Sequence, residues 1–188
     1  DTTMTLEVLD LLCRELELEP SEVSVIDAPL DLGGLWSLYE LPHDELKYPT
    51  WRGVVPPGVD GDDIFADIRA GGVLVHLPYE SFAASVEAFV AAAARDPKVL
   101  AIKQTLYRAG GDEAGIVASL AKAAREGKQV VTLVELKARF DEQANIERAR
   151  SLEQAGVHVV YGLVGLKTHC KVLLVVRQEA NGIRRYCH

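Results

Sequence analysis

From Gly72 to His188 the chain alternates between short apolar runs and amphipathic stretches of helical period, and this alternation constrains the fold more than any other feature. GVLVHL has the form of a buried strand, and SFAASVEAFVAAAARD that of a helix closed at Asp96-Pro97. KVLAIKQTLYR, QVVTLVEL and VHVVYG are further strands, separated by the helices EAGIVASLAKAAREG and DEQANIERARSLEQAG. Strands alternating with helices of this length predict βαβ units and a mainly parallel sheet. Gly127 and Gly156 fall just past the last helical turns, where a left-handed cap is needed. The last segment differs. Too few residues separate VHVVYG from HCKVLLVVR for a parallel crossover, so these two strands are expected to be antiparallel. A turn around QEANG then leads to IRRYCH, which adds an antiparallel edge. The expected fold class is therefore α/β, preceded by a short helical segment.

That preceding segment begins with a helix from about Leu6 to Leu18, stopped by Pro20. The apolar run VSVID and a second helix near LGGLWSLYEL follow. LPHDELKYPTWRGVVPPGVDGDD, with four prolines, is an extended arm. The boundary is placed near Asp60, giving segments 1–60 and 61–188. Charge changes across it. Residues 1–62 carry 14 acids and 3 bases, whereas residues 63–188 carry 14 acids and 17 bases. From Tyr161 to Arg177 there are bases and no acid. A local positive site on an acidic chain suits a discrete anionic ligand better than bulk nucleic-acid binding, which usually requires a broad basic face.

Apolar residues make up 48% of the 188, enough for a real core, but no run is long enough to span a membrane. The acidic, amphipathic N-terminal stretch is unlike a signal peptide. Cys13, Cys170 and Cys187 have no metal-binding spacing and are expected as free thiols in a reducing cytoplasm.

In an open parallel sheet, ligands bind at the carboxyl ends of the strands. Arg108 ends one strand, Arg139 lies just beyond the next, and His169 begins the strand that turns back, with Lys171 beside it. Guanidinium forks grip phosphate oxygens in pairs and lysine adds a point charge, so the four residues are candidates for a phosphoryl pocket. A lone arginine at a strand end is ordinarily a solvated cap, and a lone histidine ordinarily structural. Convergence on one acid-free edge favours the pocket. His158 is assigned to structure, His43 to the arm, and His76 to packing against the following helix. Cys170 and Cys187 are assigned to the core. Asp141 and Glu142 open a helix, where acids suit the dipole. Glu135, within an apolar strand, needs a partner, for which the nearby bases are candidates.

The runs VLAIKQTLYR, KQVVTLVELKARFDEQANIERARSLEQAGVHVVYGLVGLKTHCKVLLVVRQE and RRYCH closely resemble the polyphosphate kinase family of the histidine-phosphorylating type. The likeness runs from about Phe65 to His188 and is weaker before it, where it implies the tail of a helical head domain. It implies a phospholipase D-like domain whose H-x-K motif is His169-Cys170-Lys171, with His169 as the phosphohistidine. The histidine of the family's Y-x-H-x-G-T-G-N segment falls on His188, a second catalytic candidate. The two arginines that the family links to magnesium and phosphate fall on Arg108 and Arg139. Arginine has no lone pair to offer a metal, so both are expected to hold phosphate oxygens whose other lone pairs bind Mg2+.

The implied activity is reversible transfer of the ATP γ-phosphate to inorganic polyphosphate, with ATP, ADP and polyphosphate as ligands. A homo-oligomeric full-length protein and membrane association are also among the implications. A carboxylate facing the phosphates would oppose binding by about 4 kcal/mol at ~4 Å and an effective dielectric near 20. Against the family's pattern, the glycine-rich segment, the second H-x-K and the amino-terminal domain are lacking, which implies an internal fragment with little activity alone. The loop AGGDEAG after Arg108 is one residue longer than the family's. A two-residue turn at Asn181-Gly182 would set His188 opposite Val175, roughly 20 Å from His169. A wider loop, opposite Val172, is the expectation adopted here. Two alternatives stand beside the kinase reading: a phospholipase D-type phosphodiesterase, which would need an acid where Val176 stands, and a non-catalytic polyphosphate-binding module.

Overall fold

The computed structural model describes residues 2–59, 63–107, 114–135, 142–162 and 165–188, without the side chains of Ala114, Glu142 and Ala144. The chain forms two compact units, Asp1–Thr50 and Trp51–His188. In the first, helix α1 (Leu6–Glu15) starts where the Thr5 hydroxyl accepts the Val8 N–H, and none of its residues is buried. A one-turn 3-10 helix (Leu32–Gly34) runs into α2 (Leu35–Tyr39), where Trp36 and Tyr39 meet edge to face at 5.8 Å. Among the described residues no helix is long and apolar enough to cross a membrane.

The second unit carries α3 (Ile64–Ala70), started by the Asp63 carboxylate accepting the N–H groups of Phe65 and Ala66. Its α4 (Ala88–Arg95) is entered through a wide π turn, Ala83–Glu87. There follow β1 (Val99–Leu106), α5 (Ala114–Arg125), β2 (Gln129–Val134), α6 (Glu142–Gln154), β3 (His158–Val160), β4 (Leu173–Glu179) and β5 (Gly182–Cys187). The sheet order is β3-β2-β1-β4-β5. β1, β2 and β3 are parallel, and β4 and β5 run antiparallel to their neighbours. This is the expected α/β architecture. Gly127 and Gly156, at φ 87° and 90°, end α5 and α6 in the left-handed conformation.

Strand alternation puts Ile102, Leu106, Val130, Val134, Leu173, Val175 and Tyr186 on one face. They pack against Phe65, Phe89, Val90, Leu120, Ala149 and Leu152 to form a single core.

Four expectations about the strands are corrected, together with the placing of His76, Cys170 and Cys187. GVLVHL is not a strand. His76 donates its N–H to the Glu80 carboxylate and accepts the Glu80 N–H, so a local turn satisfies groups that a ladder would otherwise use. His76 is exposed and meets Tyr79 at 4.9 Å rather than the following helix. The last apolar run is antiparallel, as expected, but its neighbour is β1. β3 offers only three residues, while β1 offers eight, and its Ile102 and Leu106 need cover on both sides. Thirdly, β4 starts at Leu173, not His169: the Thr105 hydroxyl accepts the Val172 N–H at 2.8 Å and stands in for a ladder carbonyl.

The hairpin is the fourth. Glu179 pairs with Gly182 around a loop of Ala180 and Asn181, which is neither turn considered from the sequence. His188 consequently lies opposite Leu173, joined by hydrogen bonds of 2.8 and 2.9 Å. This register places Tyr186 against Phe65, at 4.9 Å, while a one-residue slip would turn it to the opposite face. Cys170 and Cys187 are exposed in this chain rather than in its core, because Cys170 precedes the strand and Cys187 alternates away from Tyr186.

Candidate active site

Between β3 and β4, residues 165–172 lie at the carboxyl ends of the parallel strands, because β4 pairs on the far side of β1. This crossover carries His169 and Lys171, and among the described residues two points hold it. Beyond β2, the buried Glu135 accepts the Thr168 N–H on its carboxylate at 2.6 Å. Beyond β1, Thr105 donates its N–H to the Val172 carbonyl at 2.9 Å and accepts the Val172 N–H in return.

Tyr107, the residue after β1, supplies a surface between them. The Lys171 ammonium lies 4.1 Å above its ring centre and donates to the His169 carbonyl at 2.6 Å. The His169 ring meets Tyr107 edge to face at 5.6 Å. A cation over an aromatic face gains electrostatic attraction without losing its charge, so Lys171 stays available to an anion. His169 is exposed, as a residue that must reach a soluble ligand would be.

The strand ends are themselves tied. Glu135 donates its backbone N–H to the Leu106 carbonyl at 3.0 Å. Asn145, on α6 and fully buried, donates its side-chain amide to the carbonyls of Tyr107 at 2.9 Å and Glu135 at 3.1 Å. Tyr107 and Asn145 were not singled out from the sequence. Asn145 could have been, because Ala149 and Leu152 follow at i+4 and i+7 and place it on the apolar stripe of α6.

Of the residues expected at this edge, His169 and Lys171 lie together. Arg108 and Arg139 lie outside the described residues, as do Asp141 and the Glu142 side chain. His188 directly follows β5 at the same edge, two strands from β1, or about 10 Å at the usual strand spacing. It is exposed and borders a cavity of about 170 Å³ lined by Val59, Ile64, Val73, Val75 and Phe89. Among the described residues no group of three or more His, Cys, Asp or Glu side chains could hold a metal ion. His158 is exposed on β3, and His43 pairs with Glu45 at 3.0 Å.

A different cluster occupies the opposite, amino end of β1, where Arg177 lies across from Val99. Arg177 bonds Asp96 and Glu179, each at 2.8 Å, and covers the Phe65 ring at 4.8 Å. Glu179 also accepts from the Tyr186 hydroxyl and from Arg69. Those bonds, the Tyr186 hydroxyl's first and Arg177's next, hold the Glu179 carboxyl down at about 2. Burial opposes ionisation of Asp96, but the Lys98 N–H and Arg177 outweigh it and keep that carboxyl below its ordinary range. Every charge here is paired, which marks a structural clamp rather than a ligand site.

Comparison with known proteins bears on the family and the fold. The family model for polyphosphate kinase C-terminal domain 1 matches residues 63–188. A polyphosphate kinase of Mycolicibacterium paratuberculosis is 57% identical over 98% of the chain, and one of Mycolicibacterium gilvum is 56% identical over the same share. The chain spans 26% of each of these relatives. The crystal structure of a polyphosphate kinase from Porphyromonas gingivalis superposes with a TM-score of 0.70 at 28% identity, covering 98% of this chain and 28% of that one.

Proposed function

Because the chain belongs to the polyphosphate kinase family, whose C-terminal domain 1 spans residues 63–188, we propose that its parent protein transfers the γ-phosphoryl group of ATP reversibly to inorganic polyphosphate through a phosphohistidine at His169. The observation that carries this reading is the seating of His169 and Lys171 together across the strand ends by Tyr107 and Glu135. A neutral imidazole nitrogen of His169 attacks the γ-phosphorus in line; the N–P bond forms as the bond to the β-phosphate oxygen breaks, and ADP leaves with that electron pair. The terminal oxygen of a polyphosphate chain then attacks the same phosphorus, the N–P bond breaks, and the imidazole is restored. No net proton is consumed by the cycle.

Such a transfer depends mostly on positioning and on neutralising phosphoryl charge. Lys171 supplies one charge, and Arg108 and Arg139 are proposed to supply two more. The donor set offers phosphates cations rather than a carboxylate cage, so Mg2+ would be held by phosphate oxygens beside the two arginines. Mg2+ contributes further charge neutralisation. His188, at the same edge, is proposed as the second catalytic histidine. The parent is proposed to be a cytoplasmic homo-oligomer able to associate with membranes. Three free thiols support the compartment, and the unburied helices of residues 2–50 support assembly. The isolated chain, about a quarter of its relatives' length, is expected to be nearly inactive.

The test is incubation of the full-length protein with γ-labelled ATP. Acid-labile label on His169, lost in His169→Ala together with turnover, is expected. Acid-stable label elsewhere, or unimpaired activity in His169→Ala, would overturn the assignment.

A further inference from the structure

Asn145 occupies a position on α6 that the helix pattern reserves for an apolar side chain. It is fully buried, with Ala149 and Leu152 completing the same buried stripe. A polar group is costly there unless satisfied. Its single amide nitrogen donates to two main-chain carbonyls on adjacent parallel strands, those of Tyr107 and Glu135. Both carbonyls lie just past the last paired residues of β1 and β2, Leu106 and Val134. Beyond the last ladder bond, from the Glu135 N–H to the Leu106 carbonyl, Asn145 therefore ties the two strand ends a second time and helps set their separation.

Each of those ends also holds the crossover. Glu135 grips the Thr168 N–H, and Tyr107 carries the Lys171 ammonium and meets His169. Arg108 follows Tyr107 directly in the chain. We propose that Asn145 is a positioning residue for phosphoryl transfer: through the Tyr107 and Glu135 carbonyls it fixes the spacing at which His169 and Lys171 meet the ligand. This rests on the function proposed above, and it goes beyond it by assigning a role to a side chain that touches no ligand.

The experiment compares Asn145→Ala, Asn145→Asp and Leu152→Ala in the full-length protein. Leu152 is fully buried on the same helix but is not bonded to either strand end, so its truncation reports loss of stability alone. Formation of phosphohistidine from γ-labelled ATP is timed well below each melting temperature. Asn145→Ala should slow it by on the order of tenfold to a hundredfold, with a smaller change in KM, as misplacement of reacting groups does. Leu152→Ala should melt earlier yet keep the wild-type rate. Asn145→Asp, when ionised, faces two carbonyls with no donor, and on protonation regains one O–H. Its rate relative to wild type should therefore rise as pH falls. Hydrogen exchange over residues 165–172 reads the same positioning without chemistry, and should quicken in Asn145→Ala but not in Leu152→Ala. A wild-type rate in Asn145→Ala, a loss matched by Leu152→Ala, a flat pH ratio for Asn145→Asp, or unchanged exchange would overturn the proposal. A wild-type protein that forms no phosphohistidine, but whose exchange responds to Asn145→Ala, would sink the functional reading and leave the positioning role standing.

Discussion

The Glu135 carboxylate accepts the Thr168 backbone N–H at 2.6 Å, across 33 positions of sequence, so the residue beside His169 is anchored to the end of β2. A backbone N–H bonded to a carboxylate generally makes a stronger bond than one between neutral groups.

Glu135→Ala should lower the unfolding free energy by about 1.5–3 kcal/mol, the usual contribution of a hydrogen bond to a charged group. Glu135→Gln keeps an oxygen acceptor of the same reach and should lose less. Denaturant titration of the 188-residue chain measures both. In the full-length protein, labelling at His169 should fall further in Glu135→Ala than in Glu135→Gln. Equal losses would show that the charge, not the acceptor, is what the site needs.

Tyr107 separates ring from hydroxyl in the same way. Lys171 and His169 both contact the ring. Tyr107→Phe should therefore label His169 at close to the wild-type rate. Tyr107→Leu removes a cation–π contact worth about 0.5–1 kcal/mol at an exposed site and the edge contact to His169, and should slow labelling severalfold. Rapid-quench kinetics at saturating ATP distinguishes the two.

How much of this was legible in the sequence depends on range. The βαβ order, the glycine stops and the placing of His169 at the carboxyl edge follow from periodicity and connection length, which are local. The neighbour of β4 does not, because it depends on which strand has the longer free edge; three-residue β3 loses to β1. Nor does the hairpin register, which is set where Tyr186 finds Phe65, far away in the chain. GVLVHL has a strand's composition, but the Glu80 carboxylate takes the His76 N–H that a ladder would use. Cys170 and Cys187 are apolar enough for the core, and only the point at which β4 begins, for Cys170, and the register of β5, for Cys187, show otherwise. In the site, His169 and Lys171 were readable from charge pattern and resemblance. The groups that seat them were not, since a tyrosine after a strand and an asparagine in a helix acquire their role only through contacts.

The acidic clamp at the other end of the sheet should show itself in pH dependence. Glu179 ionises in the folded chain at about 2, against an ordinary 4.5, and Asp96 is shifted in the same direction. Groups with depressed folded values bind fewer protons folded than unfolded, so the stability they contribute is present above the ordinary carboxylate range. It should be lost as pH falls from about 4.5 towards about 2. Tyr186→Phe removes the first of the bonds that hold Glu179 down and should shallow this acid limb. Urea midpoints of the 188-residue chain at a series of pH values test it, and identical limbs in both proteins would refute the role given to the Tyr186 hydroxyl.

Thr105 offers the most local test of how the crossover ends. Its hydroxyl accepts the Val172 N–H at 2.8 Å, and its own N–H donates to the Val172 carbonyl, so Val172 is held by β1 although it precedes β4. Thr105→Val keeps shape and β-branching but removes the acceptor. The freed Val172 N–H is at an exposed residue, where water can replace the lost partner. The cost in stability should therefore stay near the low end of about 0.5–1.5 kcal/mol. The anchor at Val172 would nonetheless keep only the bond from the Thr105 N–H, and labelling at His169 should slow by more than so small a stability change would produce. Thr105→Ser restores the hydroxyl and should recover most of the rate, whereas equal rates in Thr105→Val and Thr105→Ser would mean that Glu135 and the Thr105 N–H suffice to hold the crossover.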